Sequence, residues 1–525
     1  MMHILGPIIL ATVTSLILSY CQFAVGEKVL LVSLPFADSH WFAHANLGRA
    51  LVNRGHVVTG LMSQDSLARR KTPEFLFETF DDRGTSARMK AIEVQHVSNA
   101  EEMSLVKIVQ VPSMLTDELM KHCELLLGDR EMLERLRDSR YGVVITDTFL
   151  PCGAILAAYL RVPNVVHQRL EPFAMDLAAT GVPRPPAYVP EVPLPFSDQM
   201  TFLQRAQNAI VPTLLTGVLR GILRSKFDVL ARQYLGEDET LLTAMSQADL
   251  WLYQTDTVLD FPAPSMPNMI QVGGLNVLEV APLARDLETF VQGSGDHGVI
   301  VVSFGSVVKA MSTEKAEIFA EVFGRLRQKV VWRYTGEKPA GLGNNTKLMS
   351  WLPQNDLLGH PKTRAFVTHA GSNGVYEALH HGVPMVCLPL FGDQPANAAR
   401  VVARGLGVKL DFSTVTADEL YRAILHVLTN NSYRETAARL SRLHRDQPQS
   451  PMERAVWWIE HVIKHGGLPH LRARAVELPW YQYYLLDVAA FLLAVCSAVL
   501  VLIWCSCSLV CRKICRKSGD KLKSQ

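Results

Sequence analysis

Residues 351–394 gather side chains suited to holding a phosphorylated sugar. The run Phe366-Val367-Thr368-His369-Ala370-Gly371-Ser372-Asn373-Gly374 reads as a strand that breaks into a turn of small residues. It opens a helix over 375–379, which stops at Gly382 with Pro384 beyond. Such a turn leaves N–H groups at the helix N-terminus free to hold phosphate, and the helix dipole adds attraction. Small residues let the main chain approach a diphosphate. His369 can add a donor, and Glu377, one turn in, can accept from a ribose diol. Trp351, in Trp351-Leu352-Pro353-Gln354, offers an indole for a base to stack on, an interaction worth roughly 1–3 kcal/mol per base. Phe391-Gly392-Asp393-Gln394 follows the next strand, so an acid and an amide sit together where a polyol could use both. Gly305-Ser306 supplies a second tight turn toward the same region.

The elements that must position these groups alternate apolar strand-like runs with helical patterns, the mark of parallel α/β layers. In the first half the spacing predicts strands over 28–34, 56–62 and 141–146, another opening at Val165-Val166, and helices over 42–54 and 154–160. In the second half it predicts strands over 299–304, 330–334, 365–368 and 385–390, with helices over 314–326 and 375–380. Residues 181–195 hold six prolines and read as a long loop over the first domain. Residues 275–286 read as the linker. Two doubly wound domains facing across a cleft would bring ligands to the C-terminal ends of strands from both sides.

The block 351–394 resembles the nucleotide-sugar signature of the family-1 UDP-glycosyltransferases. From about Val29 to Cys511 the chain resembles their microsomal UDP-glucuronosyltransferase branch. Supporting stretches are Ser39-His40-Trp41, Thr146-Asp147, Pro151-Cys152-Gly153, Ser197-Asp198-Gln199-Met200, Val272-Gly273-Gly274-Leu275 and residues 351–361. Residues 444–458 are similar to a segment that crosses back to the first domain in that family. The resemblance implies a GT-B fold and inverting transfer that needs no metal or other cofactor, the UDP-sugar being a co-substrate. It implies an acceptor-binding domain over 27–275, a UDP-sugar domain over 276–450 and a returning helix with juxtamembrane segment over 451–487. Trp351 and Gln354 would hold the uracil-ribose end and Glu377 the ribose. Ser306, His369, Asn373 and Gly374 would hold the diphosphate, and Asp393 and Gln394 the sugar. His40 and Asp147 would be the catalytic pair: an imidazole of ordinary pKa ~6.5 suits a general base near neutrality. The carboxylate would fix its tautomer and stabilise the imidazolium. His44 and His56 read as structural hydrogen-bonders. Acceptor loops are expected over 64–121.

Two departures from the family pattern stand out. Ala370 replaces a frequent glycine and would place a methyl beside the diphosphate. In Trp251-Leu252-Tyr253-Gln254, Gln254 stands where glucuronate-using members carry an arginine. Glutamine cannot form the bidentate, charge-assisted contact with a carboxylate. UDP-glucose and UDP-glucuronate therefore both remain open as donors, unless a basic residue elsewhere in the cleft compensates. A catalytically silent binding protein is the rival reading. Loss of His40 or Asp147 would favour it, and both are present.

The wider composition sets the compartment. Among 525 residues, 48% are hydrophobic and the net charge is +2, which excludes a disordered chain and gives no basic face for nucleic acid. Residues 1–26 read as an export signal, with Ala24 and Gly26 at the −3 and −1 positions of a small-residue cleavage site and Glu27 starting the mature chain. Residues 488–511 carry no charge, follow an aromatic cluster (Trp480, Tyr481, Tyr483, Tyr484) and precede Arg512, Lys513, Arg516 and Lys517. That reads as a single-pass anchor with a cytosolic basic tail over 512–525 and everything before it luminal. Lys521 and Lys523 resemble a dilysine retrieval signal of the endoplasmic reticulum. Asn344 and Asn430 are glycosylation sequons. Of nine cysteines only Cys123, Cys152 and Cys387 fall in the luminal body, allowing at most one bridge, and none has zinc spacing. The apolar content and anchor suggest a small lipophilic acceptor. A homo- or hetero-oligomer is compatible with the sequence.

Overall fold

A computed structural model describes residues 26–70, 72–98, 105–305 and 311–522. The export signal, Ser306 and Lys523 of the retrieval pair lie outside the described residues. The chain divides at Arg472 into a large unit and a C-terminal one.

The large unit is built on two all-parallel sheets. The first contains β1 (Lys28–Val32), β2 (Val57–Ser63), β3 (Leu76–Phe80), β4 (Val143–Asp147), β5 (Asn164–Gln168), β6 (Leu250–Tyr253) and β7 (Met269–Gln271), ordered β3-β2-β1-β4-β5-β6-β7. The second contains β8 (Val299–Ser303), β9 (Lys329–Arg333), β10 (Thr346–Met349), β11 (Thr363–Thr368), β12 (Met385–Cys387) and β13 (Gly407–Lys409), ordered β10-β9-β8-β11-β12-β13. Successive strand residues point to opposite faces. Val29, Leu31, Val143 and Ile145 therefore enter one core, and Leu30, Val32, Val144 and Val166 the other. The second sheet divides the same way, with Val299 and Val301 on one side and Ile300 and Val302 on the other. Because helices cover both faces, the strands read as unbroken apolar runs rather than alternating ones.

Each sheet reverses its winding beside its first strand, between β1 and β4 and between β8 and β11. Loops leaving two such strands diverge and open a crevice at their C-terminal ends. His40 comes after β1, Asp147 ends β4, Gly305 follows β8, and the small-residue turn at 369–374 follows β11. The two switch points thus carry residues singled out in both halves of the sequence.

Several elements depart from expectation. The acceptor loops anticipated over 64–121 are instead largely helical: Gln64–Arg70, Thr85–Ser98 and most of Leu105–Gly128 surround β3. The last helix buries Leu119, Cys123, Leu126 and Leu127, and Cys123 is bridged to Cys152 on helix Pro151–Leu160. Residues 181–195 do lack helix and strand. The 34-residue helix that follows, Phe202–Leu235, contains Pro212, a residue that reads as a break in sequence. Helix Pro451–His465 starts on a capping box between Ser450 and Glu453. It lays Ala455, Val456, Ile459 and Val462 into the same core as Val29 and Leu31. Arg454 donates to the Gln271 carbonyl at 2.9 Å, and Arg54 pairs with Glu460 at 2.8 Å. Residues beyond the second sheet therefore complete the core of the first.

In the C-terminal unit, Leu486–Leu522 is one continuous helix. Its 28 residues Leu486–Lys513 are long and apolar enough to cross a membrane, extending past both ends of the expected span.

Candidate active site

Within the large unit the switch points face one cavity of about 330 Å³. Ser39, His40, Glu93 and Arg169 line it from the first domain. Gly305, Arg333, Trp351, Gln354, His369, Asn373, Gly374, Glu377, Asp393 and Gln394 line it from the second. Every described residue nominated for the UDP-sugar is therefore gathered in one place with His40. Asp147 and Gln254 stand behind the wall, against His40 and Arg169 respectively.

His40 sits in the first turn of helix Asp38–Asn53, which follows β1. Its Nδ1 lies 2.6 Å from Asp147 Oδ2, and the Phe149 N–H donates to Asp147 Oδ1 at 2.9 Å. Burial pushes the Asp147 carboxyl up, but the charge and hydrogen bond of His40, aided by His44 and that N–H, win and hold its pKa at about 2. An ionised carboxylate requires Nδ1 to donate, which leaves the Nε2 lone pair as the ring's proton acceptor. Deeper in, the His44 and His167 rings lie 5.0 Å apart, and burial lowers both, His44 to about 4. They stay neutral and put no rival cation beside His40. His56 lies elsewhere, against Glu460 at 3.4 Å.

On the opposite wall, helix Ser372–His381 begins at Gly371. Burial lowers the His369 pKa to about 4, so its imidazole is neutral and can donate a hydrogen bond without carrying charge. A Cβ on Gly305 or on Gly371 would come within 2.5 Å of His369 Nε2, so both positions demand glycine. Ala370 has a φ of 62°, in the left-handed region that favours glycine. Its methyl is buried in the second domain's core and does not line the cavity, which corrects the placement expected beside the diphosphate. Thr368 Oγ1 accepts the Ala370 N–H at 3.2 Å, and Asn397 donates to the Ala370 carbonyl at 3.0 Å, pinning the turn.

The remaining groups divide into donors and acceptors. Trp351 is 57% exposed, with the Arg333 guanidinium 4.6 Å over its ring. Burial raises the Glu377 pKa to about 7, only partly offset by a 2.6 Å hydrogen bond from Gln354 Nε2. Gln394 Oε1 accepts the N–H groups of Leu390 at 2.8 Å and Phe391 at 3.2 Å, which leaves its amide Nε2 to donate. Asp393 accepts from Asn397 at 2.6 Å. Asn373 Oδ1 accepts from Arg169 at 2.8 Å and Asn276 at 2.7 Å. Gln254, expected beside the sugar, is buried, with its Oε1 turned to Arg169 Nε at 3.2 Å.

Arg169, Arg333 and Glu93 were not singled out in the sequence. Arg169 directly follows β5 and Arg333 ends β9, so inspecting the C-terminal end of every parallel strand would have found both. Glu93 comes from helix Thr85–Ser98, where nothing in the sequence pointed inward. Asn344 and Asn430 are both exposed, and Asn430 Oδ1 caps the next helix through the Ser432 N–H at 3.1 Å.

Solved glycosyltransferases share this architecture. Os79 from O. sativa, in complex with U2F and trichothecene, aligns over 84% of this chain and 100% of its own at 18% identity and a TM-score of 0.59. The glycotransferase of kitacinnamycin aligns over 83% of this chain and 99% of its own at 22% identity and a TM-score of 0.57. The fold is GT-B. Residues 27–521 match the UDP-glucoronosyl and UDP-glucosyl transferase family, and the chain belongs to it. Rattus norvegicus UDP-glucuronosyltransferase 1A5 is 40% identical over 97% of this chain and 96% of its own length. Homo sapiens UDP-glucuronosyltransferase 1A1 is 39% identical over 95% of this chain and 94% of its own.

Proposed function

We propose that this family-1 UDP-glycosyltransferase moves a hexosyl or glucuronosyl group from a UDP-sugar to a hydroxyl of a small lipophilic acceptor, inverting the anomeric carbon. The observation that carries the reading is the 2.6 Å His40–Asp147 pair on a cavity whose far wall holds the nucleotide-sugar residues. The acceptor O–H gives its proton to His40 Nε2 as its oxygen bonds to the anomeric carbon. The bond from that carbon to phosphate oxygen breaks, and UDP leaves with the electron pair. Asp147 holds the tautomer and stabilises the imidazolium. Trp351 and Gln354 would take the uracil-ribose end and Glu377 the ribose. Ser306, His369, Asn373 and Gly374 would take the diphosphate, and Asp393 with Gln394 the sugar hydroxyls. We read the transfer as metal-independent, because a helix N-terminus and the Arg333 cation are placed to take up the leaving group's charge.

The proposed setting is the endoplasmic reticulum membrane, with the catalytic domains luminal. The span Leu486–Lys513 with its basic flank supports the anchor. The Cys123–Cys152 bridge supports an oxidising compartment. Asn344 and Asn430, both exposed, would be glycosylated there. The test is turnover of a phenolic acceptor with a panel of UDP-sugars. His40→Ala should lower kcat by roughly 100- to 10,000-fold. A wild-type protein that uses no donor would sink the reading, and a fully active His40→Ala would remove His40 as the base.

A further inference from the structure

Arg169 follows β5 and lines the cavity while only 7% exposed. Its guanidinium is held on three sides. Nε donates to Gln254 Oε1 at 3.2 Å, Nη2 to Asn373 Oδ1 at 2.8 Å, and Nη1 to the Ser39 carbonyl. These partners are neutral oxygens. Arg333 on the same cavity is likewise buried with only carbonyl acceptors, those of Ser350 and Gly305, whereas two other arginines with buried side chains are paired with acids. Arg400 has Glu171 at 2.5 Å and Asp260 at 3.0 Å, and Arg184 has Glu171 at 3.0 Å and Glu191 at 3.1 Å. A guanidinium buried without a counter-ion is costly, and the cost is recovered when an anion arrives.

We infer that Arg169 is the counter-ion for a carboxylate on the transferred sugar, so that a uronate donor, UDP-glucuronate, is preferred to UDP-glucose. The inference rests on the UDP-sugar transfer proposed above. Three of five N–H groups are engaged, which leaves one on each Nη for a two-point contact with a carboxylate. The carboxylates whose charges Arg169 feels are Asp393, at the sugar end, and Asp147, behind the base. Both acids therefore lie near its guanidinium, which itself donates to Asn373 and to the Ser39 carbonyl. The diphosphate has separate partners in the helix N-terminus at Gly371 and in Arg333, which packs on Trp351 at the nucleotide end. Gln254 cannot neutralise a carboxylate, but its oxygen aims the arginine that can.

The full-length protein is assayed with UDP-glucuronate and UDP-glucose, alongside Arg169→Gln, Arg169→Lys and the exchange Arg169→Gln/Gln254→Arg. Thermal unfolding is recorded for each. The wild type should favour UDP-glucuronate. In Arg169→Gln the ratio of kcat/KM for UDP-glucuronate to that for UDP-glucose should fall by about 100-fold, chiefly through KM. Lysine, with the charge but not the fork, should keep part of the preference, and the exchange should recover it. A wild type that favours UDP-glucose overturns the inference and leaves the transferase reading standing. So does an Arg169→Gln that weakens both donors equally, which would assign the charge to the diphosphate. If that variant fails to fold, a folded Arg169→Lys with an unchanged ratio overturns it as well. Silence of the wild type toward all donors marks failure of the transferase reading instead.

Discussion

Glu377 enters the cavity from helix Ser372–His381 with its pKa raised by burial to about 7. Below that value the carboxyl is neutral; above it the carboxylate can accept both hydroxyls of a ribose diol. The ionised fraction grows about tenfold between pH 6 and pH 8 for a group of that pKa. The KM for the UDP-sugar should therefore fall by up to about tenfold as pH rises across this range, and Glu377→Gln should flatten the dependence. Initial rates at fixed saturating acceptor decide the matter. A wild-type KM that rises with pH would contradict the role given to Glu377. Glu377 was legible in the sequence because it lies on the same strand-turn-helix as His369 and Asn373, where contiguous residue types reveal a backbone motif. Arg169 and Arg333 were not, because each is a lone cation at the end of a separate strand. Only the facing of the two sheets' C-terminal ends brings them to the same cavity.

Helix Gln394–Ala403 links the residues proposed to hold the sugar to the joint between domains. It begins at Asp393 and Gln394 and, two turns on, presents Arg400 to Glu171 of the first domain at 2.5 Å and to Asp260 at 3.0 Å. Tyr376 also donates to Asp260, at 2.6 Å. Removing one partner of a buried ion pair leaves the other charge uncompensated, at a cost of about 3–5 kcal/mol. Arg400→Met should therefore lower stability by an amount in that range, read from urea unfolding. It should also raise the donor KM if the start of the same helix holds the sugar as proposed. A stable variant with an unaltered KM would show that the helix is held from elsewhere. Elements of this kind were partly readable. Long apolar runs such as β1, β4 and β8 announced themselves, whereas β7 and β13 have three residues each, too few to show a period. The helices of residues 64–121 were missed for a different reason. Thr85–Ser98 mixes charged and apolar residues without a clear stripe, and what holds its neighbour Leu105–Gly128 in place is tertiary packing and the bridge to Cys152.

For the whole molecule, the defining contact is the return of helix Pro451–His465 to the first sheet. Ala455, Val456, Ile459 and Val462 are buried there. Larger aliphatic side chains of this kind stabilise by about 1.5–3 kcal/mol each when fully buried. Together they approach the whole stability margin of a typical domain. A chain ending at Arg472 should fold and keep its turnover, whereas one ending at Ser450 should aggregate or unfold. Circular dichroism and activity of the two products separate the cases, and a folded, active product ending at Ser450 would refute the dependence. The return was visible in sequence only as likeness over 444–458, since a helix's own pattern does not say which sheet it covers.

That same return has a consequence for synthesis. β7 leaves the ribosome about 190 residues before the helix that completes its sheet's core. At roughly 5–20 residues per second the interval is roughly 10–40 s. Throughout it, the face carrying Val29, Leu31, Val143 and Ile145 has Trp41, Leu47 and Leu51 of helix Asp38–Asn53 against it but lacks the cover of Ala455, Val456, Ile459 and Val462. Nascent chains of this protein should therefore depend on chaperone occupancy of their first half until translation of the second is nearly complete.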